Sequence, residues 1–373
     1  MKYFLKSTFF FMSLIFRKRK VDVIFYYPHH FNRGDNGENL YFVNMINSCK
    51  KNNISYLVFE EPDYTSTIKR NSNNISFDFI FLIIILLRKL YRKDERDIIK
   101  DHKIGSILNS LFFRMLYFNN VITISQSMVS FFRGVNSKCK IFDIQHGIIY
   151  QNKVNYILNN KVASNLLENN VNLLLSGQSY KDILLKNDMS FYFKSHTTVI
   201  GSNIIVRNKP MHSKFNENIL VTLQFTHDHD DYENKVLFSK LKDFIESSDK
   251  MINFYLKQHP RFNNEINISE ILKFNNVHVA PEDLNECLQL CSLHATAYST
   301  TTFEAALYGI PTILINPLKK FNCFSFDFKY PLDYSINDFE NESLYQASSK
   351  ILINWSRNYY SSYNEKYFLN LLK

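Results

Sequence analysis

Apolar runs alternate with amphipathic segments along the first half of the chain. The run VDVIFYYP at 21–28 is mostly apolar and ends at a proline, which predicts a strand buried on both faces of a parallel sheet. A segment with apolar positions at helical spacing follows it, and the strand ISYLVFEEP comes next. Further strands are predicted at 120–125, 140–147, 172–177 and 197–202. Strands that alternate with helices are typical of a doubly wound α/β domain.

The same alternation resumes after the polar segment 203–217, which contains Pro210 and predicts the linker between two domains. Strands are predicted at 218–224, 251–260, 276–281, 293–299 and 311–316, with helical segments between them. We therefore predict two doubly wound α/β domains, at 1–205 and 218–350. A C-terminal helix at 351–373 is expected to pack back on the first domain.

The composition fits this architecture and indicates an anionic partner. The chain has 373 residues, of which 45% are apolar and 21% are charged, as expected for globular domains. Its formal net charge is +9, and basic residues concentrate at 17–20 and 88–96, each time after an apolar stretch. This pattern is typical of proteins that bind an anionic membrane surface. Since no nucleic-acid-binding module is recognisable, nucleic acid is not an expected partner.

Two apolar stretches raise the question of membrane insertion. Residues 3–16 are interrupted by Lys6 and precede a basic cluster, which argues against a cleaved signal peptide. They are interpreted as either an interfacial anchor or a packed helix. Residues 77–87 are shorter than the ~20 residues of a spanning helix and are interpreted as a buried or membrane-apposed helix. We expect a cytoplasmic protein that associates peripherally with the inner face of the cell membrane.

Side chains of the types that ligate metals occur together at one place. The five cysteines are scattered, without the spacing of a zinc site or a disulfide framework. Residues 227–231, with the sequence HDHDD, could ligate a divalent metal, but we favour a flexible polar loop near the ligand site. We therefore expect neither a metal nor a cofactor.

Polar residues at the carboxyl ends of predicted strands are the candidate binding residues, because ligands of open α/β sheets bind there. The richest group falls between the strand at 293–299 and the next helix. It consists of Ser299, Thr300, Thr301 and Thr302, followed one turn later by Glu304. Hydroxyl and N–H groups at a helix start can bind phosphate, and a glutamate there can accept a hydrogen bond from a ribose hydroxyl. Ordinary N-capping explains only one or two of these hydroxyls.

A second group lies at the end of the strand at 251–260, where Lys257, His259 and Pro260 occur together. Pro260 ends the strand. His259 can hydrogen-bond a phosphate and, when protonated, offset the charge on a departing nucleotide. The alternative is a surface histidine beside a basic loop.

A third group follows the strand of the first domain that ends near Ile144, and it contains Gln145, His146 and Gly147. Gly147 allows the backbone to turn sharply. A neutral imidazole at His146 can take the proton of an attacking hydroxyl, a general-base role that contributes about 10²- to 10⁴-fold. Asp143 is a weaker candidate base, because on a regular strand its side chain faces away from that of His146.

The loop after the first strand supplies two more candidates. Asp35 and Asn36 follow that strand directly. The carboxyl ends of parallel strands meet at one edge of a sheet. We therefore assign Asp35 and Asn36, with Gln145 and Gly147, to the acceptor side of the site.

Three segments carry a family resemblance: FDIQHG, YLKQHP and AYSTTTFEAALYGIPTILIN, in this order. They resemble motifs of bacterial GT-B enzymes of capsule, lipopolysaccharide and teichoic-acid synthesis, which include sialyl- and Kdo-transferases and glycerophosphotransferases. The resemblance implies two Rossmann-like domains that face a central cleft. It implies nucleotide binding by His259 and Pro260, which match an HP motif. It also implies phosphate binding by Ser299, Thr300 and Thr301.

In the first domain the chain departs from the sialyltransferases. They have acidic residues where this chain has Gln145 and His146 before Gly147. A His-Gly pair is closer to the glycerophosphotransferases, in which a histidine is thought to act as base. The segment EAALYGIP is widespread in GT-B enzymes that use UDP- or GDP-sugars, and there the glutamate, matched here by Glu304, contacts ribose.

The function implied by the residues and the resemblance together is glycosyl transfer. The expected reaction moves a sugar from a nucleotide-activated donor to a lipid-linked glycan acceptor, during synthesis of a capsule or lipopolysaccharide. Two alternatives stay open: transfer of a polyol phosphate from a CDP-glycerol-type donor, and a non-catalytic partner that binds a glycan or a sugar nucleotide. No metal takes part in the expected mechanism.

Overall fold

The computed structural model describes residues 2–34, 37–64, 66, 68–92, 94–203, 209–259, 262–263, 265–318 and 321–373. The chain divides into two compact units. Unit 1 contains Met1–Ile204 and Ser361–Lys373, and unit 2 contains Ile205–Tyr360. The division falls within the segment 203–217 that the sequence marks as a linker.

Strands and helices alternate along both units. The strands are β1 (Arg19–Pro28), β2 (Tyr56–Glu61), β3 (Ile75–Ser76), β4 (Leu116–Ile124), β5 (Lys140–Ile144), β6 (Ile157–Leu158), β7 (Lys161–Val162), β8 (Val171–Leu175), β9 (Thr197–Val199), β10 (Asn218–Thr222), β11 (Asn253–Lys257), β12 (Val277–Val279), β13 (Leu293–Thr296) and β14 (Thr312–Leu314). The helices are α1 (Lys2–Phe16), α2 (Val43–Lys51), α3 (Asp78–Leu90), α4 (Asp97–Leu108), α5 (Val129–Val135), α6 (Ser164–Asn169), α7 (Gln178–Asn187), α8 (Tyr192–His196), α9 (Asp231–Glu246), α10 (Leu284–Leu290), α11 (Thr301–Leu307), α12 (Cys323–Phe326), α13 (Glu342–Tyr359) and α14 (Glu365–Leu372). Short 3₁₀ or π-helical turns cover His29–Phe31, Asn109–Phe113, Ile271–Lys273 and Asn337–Glu340.

The sheet of unit 1 is parallel and doubly wound. Its seven strands have the order β3-β2-β1-β4-β5-β8-β9. The central strand β1 pairs on one side with β2 and on the other with β4, so that Phe25 lies opposite both Val58 and Ile122. The strand order reverses between β1 and β4, and the carboxyl ends at such a reversal open a crevice where ligands bind.

Each face of this sheet packs against helices. On one face, Val23, Phe25 and Tyr27 of β1 form a buried core with Phe42 and with Phe368 of α14. On the other face, the ring of Phe77 lies within 6.5 Å of the rings of other buried phenylalanines, which are Phe11 of α1, Phe59, Phe113 and Phe131. Residues 3–16 therefore form a helix that is packed on one side.

The sheet of unit 2 repeats the same topology with five parallel strands in the order β12-β11-β10-β13-β14. Its core contains Ile219, Val221, Phe254, Leu256 and Ala295, all of them buried. The strand order reverses between β10 and β13, which places the expected ligand crevice at the carboxyl ends of these two strands. The predicted α/β class, with two doubly wound sheets, is confirmed.

The C-terminal segment differs from the single helix predicted at 351–373. Helix α13 ends at Tyr359, and a new helix begins after Asn364, whose side chain accepts a hydrogen bond from a first-turn N–H. The segment between the helices runs against Gly201, where φ is +78° and where a Cβ would lie 2.2 Å from the Ser362 carbonyl oxygen. Only glycine fits this approach. The helix breaks because the chain leaves unit 2 here and returns to unit 1.

None of the helices in the described ranges combines the length and the apolar character that crossing a bilayer requires.

Candidate active site

His146 lies two residues beyond the end of β5, at the carboxyl edge of the unit 1 sheet. The next residue, Gly147, has φ +71°, so the chain turns directly after the histidine through a conformation that favours glycine. The half-buried imidazole packs edge-on against Phe31, at 4.9 Å between ring centres, and against Tyr41, at 5.8 Å. These aromatic walls fix the ring at the sheet edge.

The surroundings of His146 keep its imidazole uncharged. Burial, with smaller contributions from the positive charges of Arg33, His30 and Lys153, lowers the pKa of His146 to about 4. At neutral pH the ring therefore has a free lone pair on one nitrogen. A neutral imidazole can accept a proton, which is the property that a general base requires.

Gln145 supports the turn that carries His146. Its side-chain oxygen accepts hydrogen bonds from the backbone N–H and the hydroxyl of Ser176, at 3.0 and 2.9 Å. Its side-chain nitrogen donates to the carbonyl of Gly147 at 2.9 Å. The residue is buried, and its amide stabilises the turn that carries His146. The sequence analysis instead assigned Gln145 to the acceptor side.

Asp143 is fully buried beneath the neighbouring turn. One carboxylate oxygen accepts hydrogen bonds from the Thr123 hydroxyl at 2.8 Å and from the Gln126 N–H at 2.7 Å, while the other has no partner among the described residues. Burial raises the pKa of Asp143 to about 7. Ser125 and Gln126 both have positive φ, so this carboxylate holds a left-handed turn at the end of β4.

The loop after β1 brings two further histidines to this edge. Asp35 and Asn36 lie outside the described residues. His29 accepts a hydrogen bond from the Asp63 N–H at 2.9 Å, and His30 contacts the Asp63 carboxylate at 2.7 Å. Sequence reasoning missed this pair, although its signal was present, because two histidines directly follow the strand that adjoins the reversal of strand order.

In unit 2, the hydroxyl-rich turn joins β13 to α11. The Ser299 hydroxyl accepts a hydrogen bond from the Thr301 N–H at 3.2 Å and donates to the Thr301 hydroxyl at 3.1 Å. The Ser299 N–H donates to the Thr296 hydroxyl at 3.3 Å. Thr300 is exposed, whereas Thr302 is completely buried and its hydroxyl has no partner among the described residues. The structure thus removes Thr302 from the surface on which the predicted phosphate would bind.

Glu304 lies one turn into α11. One of its carboxylate oxygens is covered and has no partner among the described residues, and burial raises its pKa to about 7. Helix α11 packs against α13 through its own residue Phe303. The Phe303 ring stacks on Trp355 of α13 at 5.0 Å with an interplanar angle of 1°. This packing fixes the position of the turn and of Glu304.

The predicted donor-binding group at the end of β11 consists of Lys257, His259 and Pro260, and the structure gives these residues different environments. The Lys257 ammonium donates to the carbonyls of Pro281 and Glu282, at 2.9 and 2.7 Å, and thus anchors the loop after β12. His259 is half-buried at the carboxyl edge of the sheet. Pro260 lies outside the described residues. The Lys257 ammonium is therefore hydrogen-bonded to backbone carbonyls, whereas the sequence analysis assigned it to the donor.

An aromatic cluster that the sequence analysis did not identify lies at the same edge of unit 2. The Tyr298 hydroxyl and the His229 ring are hydrogen-bonded, and the Tyr298 ring stacks on Phe321 at 4.7 Å. Phe321 is 39% exposed, so part of the stack faces solvent. Residues 227–231 are part of this ordered region, because Asp230 forms a capping box that opens α9. The flexible loop that the sequence suggested is thus a structured one.

Within the residues that the structure describes, no three His, Cys, Asp or Glu side chains are grouped so that they could hold a metal ion.

Comparisons with solved structures identify the fold. Neither a protein-family model nor a curated protein sequence matches the chain. The UDP-GlcNAc 2-epimerase of Methanocaldococcus jannaschii superposes with a TM-score of 0.54 at 13% identity, over 95% of this chain and 99% of that one. The MnaA protein of S. aureus, solved with UDP, gives 0.51 at 11% identity, over 95% and 97% of the two chains. The lipopolysaccharide outer core galactosyltransferase WaaB gives 0.50 at 14% identity, over 94% and 98%.

These similar structures are GT-B proteins, and the chain has the GT-B fold that the sequence resemblance implied. At such low identity the likeness extends to the fold alone. The activity is therefore argued from the residues at the two sheet edges.

Proposed function

We propose that the chain is a glycosyltransferase, which moves a sugar from a nucleotide-activated donor to a growing bacterial surface polysaccharide such as a capsule or lipopolysaccharide. The observation that carries this proposal is the combination found at the carboxyl edge of unit 2. A partly exposed aromatic stack, Tyr298 on Phe321, lies directly beside the hydroxyl-rich turn of Ser299 and Thr301.

This combination suits a nucleotide. A base can stack on the exposed face of Phe321, and the stack of Phe321 on Tyr298 holds that ring in place. The hydroxyls of Thr300 and Thr301 can donate hydrogen bonds to the phosphates, and the Glu304 carboxyl can hydrogen-bond a ribose hydroxyl. The co-structure of the S. aureus protein with UDP supports a nucleotide ligand for this fold.

Unit 1 supplies the base in this proposal. His146 is neutral at physiological pH, lies at the carboxyl edge of the sheet after β5, the neighbour of β4, and is oriented by the rings of Phe31 and Tyr41. It takes the proton of the acceptor hydroxyl as that oxygen attacks the anomeric carbon of the donor sugar. The bond from the anomeric carbon to the nucleotide phosphate breaks, and the nucleotide leaves with the electron pair. No metal is assigned to either step.

Donor binding is tested by thermal shift and by nucleotide release with a panel of CMP-, CDP-, UDP- and GDP-linked donors. We expect one nucleotide class to stabilise the full chain, and we expect Phe321→Ala to weaken its binding about tenfold, because a base–aromatic stack is lost. Tyr232→Ala is the matched control, since Tyr232 is an exposed aromatic residue of unit 2 outside the cluster.

The same assay separates transfer from related reactions. Epimerases share this fold, so the product of each accepted donor is identified. Release of the free nucleotide with a new glycosidic bond supports the proposal, whereas an epimerised nucleotide sugar or the transfer of glycerol phosphate from CDP-glycerol contradicts it. Binding without turnover indicates a non-catalytic sugar-nucleotide-binding partner.

An exposed apolar and basic surface of unit 1 supports the proposal of a membrane-bound acceptor. Helix α1 exposes Leu5, Phe9 and Phe16 on the side opposite its buried residues, and Phe9 and Phe16 are 75% and 80% exposed. Helix α3, which packs against α1, exposes Leu86 and Leu90. The exposed basic cluster at 17–20 directly follows α1. Apolar side chains beside cations suit an anionic bilayer, so we assign the protein to the inner face of the membrane, with a lipid-linked glycan as acceptor.

Vesicle sedimentation tests this surface. We expect the full chain to pellet with vesicles that contain phosphatidylglycerol and to bind phosphatidylcholine vesicles more weakly. Phe9→Ser combined with Phe16→Ser should reduce binding at least about tenfold, because two aromatic side chains no longer enter the interface. Met189→Ser with Val154→Ser removes two other largely exposed apolar side chains of unit 1 and should have little effect. Equal binding by the two double variants would contradict the assignment.

A further inference from the structure

A groove of about 490 Å³ lies in unit 1 along the edge of β2. Strand β3 pairs only with Phe59 and Glu60, at the carboxyl half of β2. The earlier residues Tyr56, Leu57 and Val58 pair with β1 on one side and line the groove. The volume falls within the range of about 300–1,000 Å³ that is usual for sites that bind small organic molecules.

The lining of this groove is unusually rich in amides. Five of its sixteen lining residues are asparagines: Asn39, Asn47, Asn71, Asn73 and Asn74. Each amide offers both donors and an acceptor, which is also what a sugar hydroxyl offers, so amides and hydroxyls can pair in either direction. Small-molecule sites are usually mostly apolar with few polar groups. An amide-rich groove therefore suits a ligand with many hydroxyl groups.

Several of these amides are held in fixed orientations. The Asn39 side-chain oxygen accepts a hydrogen bond from the Tyr41 N–H at 2.9 Å, and this bond fixes the orientation of the Asn39 amide. Asn39 is 4% exposed, and that NH₂ group has no partner among the described residues. The Asn74 NH₂ group donates to the Tyr27 hydroxyl at 2.7 Å. Fixed amides lose little conformational entropy when a ligand binds.

A buried ion-pair network supports this wall of the groove. The Arg70 guanidinium binds Glu60 at 2.7 Å and Asp78 at 2.8 Å. Glu60 in turn accepts hydrogen bonds from the N–H of Asn71 and from the Asn74 side chain, at 3.1 and 3.2 Å. The segment that carries three of the five amides is therefore anchored to the sheet.

The groove also contains aromatic surface. Phe10 and Tyr56, which are both half-buried, are among its lining residues. The face of an aromatic ring carries negative potential and can pack against the C–H groups on the apolar face of a pyranose. Amides for the hydroxyls and rings for the C–H faces together match the two kinds of surface that a sugar ring presents.

At its Asn39 end the groove is linked to His146 through Tyr41. Asn39, at that end, is bonded to the backbone of Tyr41, and the Tyr41 ring packs against the His146 ring at 5.8 Å. Lys50 and Tyr56 line the groove further along β2, toward the amino end of the strand. A chain that lies along the groove as far as Asn39 therefore ends near Tyr41, which packs on His146.

We propose that this groove binds an extended oligosaccharide, the already polymerised part of the acceptor, and so presents its terminal hydroxyl to His146. The identification of the bound chain as the acceptor rests on the proposed function. The binding of an oligosaccharide to the groove does not. A binding site for several sugar units makes this protein an elongating enzyme, one that recognises the polymer and not only its last residue.

Binding without turnover tests the groove. The full chain is applied, with no donor present, to a printed array of bacterial surface oligosaccharides that range from single sugars to long chains. We expect retention that increases with chain length. Asn47→Ala combined with Asn73→Ala should weaken the retained glycan about tenfold, since two side-chain hydrogen bonds are lost. Both side chains are exposed, so the variant should fold, and a thermal melt checks this.

Asn119→Ala is the matched control, because Asn119 is an exposed asparagine of unit 1 outside the groove. It should retain the glycan as the unchanged protein does. Two results would overturn the proposal: no retention of any printed oligosaccharide, or equal retention by the folded double variant. The array contains no donor, so its result is independent of the donor-turnover assay. Turnover in that assay without glycan retention on the array would refute the groove and leave the proposed function standing. Glycan retention without donor turnover would do the reverse.

Discussion

Replacement of His146 by glutamine is expected to reduce the rate of sugar transfer about 10²- to 10⁴-fold, which is the usual contribution of a general base. Glutamine keeps a polar side chain of similar length but accepts no proton at physiological pH. Donor binding should change little, because the residues proposed to bind the donor do not include His146. The measurement is the transfer rate at saturating donor, together with the thermal shift that the donor produces.

The pH profile supplies a second readout for the same residue. Because the pKa of His146 is lowered to about 4, its neutral form persists well below pH 6.5. Transfer that depends on His146 should therefore hold as the pH falls to about 5 and decline only as it approaches 4. A decline centred near pH 6.5 would indicate a different base.

Asp143→Asn is the control for this assignment. Asparagine keeps the oxygen that accepts the Thr123 and Gln126 hydrogen bonds, so the turn after β4 is retained. We expect transfer to continue in this variant. A loss larger than that of His146→Gln would reverse the roles of the two residues.

Replacement of Phe303 by alanine is expected to lower the free energy of unfolding of unit 2 by about 3–5 kcal/mol. Phe303 is completely buried and lies at the centre of an aromatic cluster. Its ring stacks on Trp355 at 5.0 Å and packs against Phe328 at 5.2 Å and Tyr359 at 5.0 Å. Truncation leaves a cavity between α11 and α13, and the turn at Ser299 loses its support.

Trp355 makes this prediction measurable. It is the only tryptophan of the chain and belongs to unit 2, so its fluorescence reports the urea unfolding of that unit. Phe321→Ala is the matched control, since Phe321 is 39% exposed, and it should change the free energy of unfolding by less than about 1 kcal/mol. Similar losses in the two variants would show that the buried cluster does not hold α11.

The two variants also separate stability from function. Phe303→Ala should weaken donor binding both because unit 2 unfolds more readily and because the Ser299 turn is less well held, and low temperature or added donor should restore the part that comes from unfolding. Phe321→Ala should weaken donor binding in a fully folded protein. An unchanged donor affinity in folded Phe321→Ala would remove the aromatic stack from the proposed site.

The apolar pattern along the chain was sufficient to predict the α/β class, because strands and helices have different apolar periodicities and these can be read from neighbouring residues. It also located the edges at which ligands bind, since polar residues after a buried strand mark its carboxyl end. His146 and Ser299 were found in this way, and both lie at the carboxyl edges of their sheets. The break between α13 and α14 was missed, because the chain returns there to pack against Gly201.

The sequence could not indicate which candidate side chains remain available to a ligand, because this depends on long-range contacts. Gln145, Lys257 and Thr302 have suitable chemistry, but the first two are engaged by other loops and the third is buried in the core. The stack of Tyr298 on Phe321 and the five asparagines of the groove join residues that are distant in the sequence. The sequence shows whether a side chain is apolar, polar or charged. The residues that it contacts depend on which strands and loops the folded chain brings together.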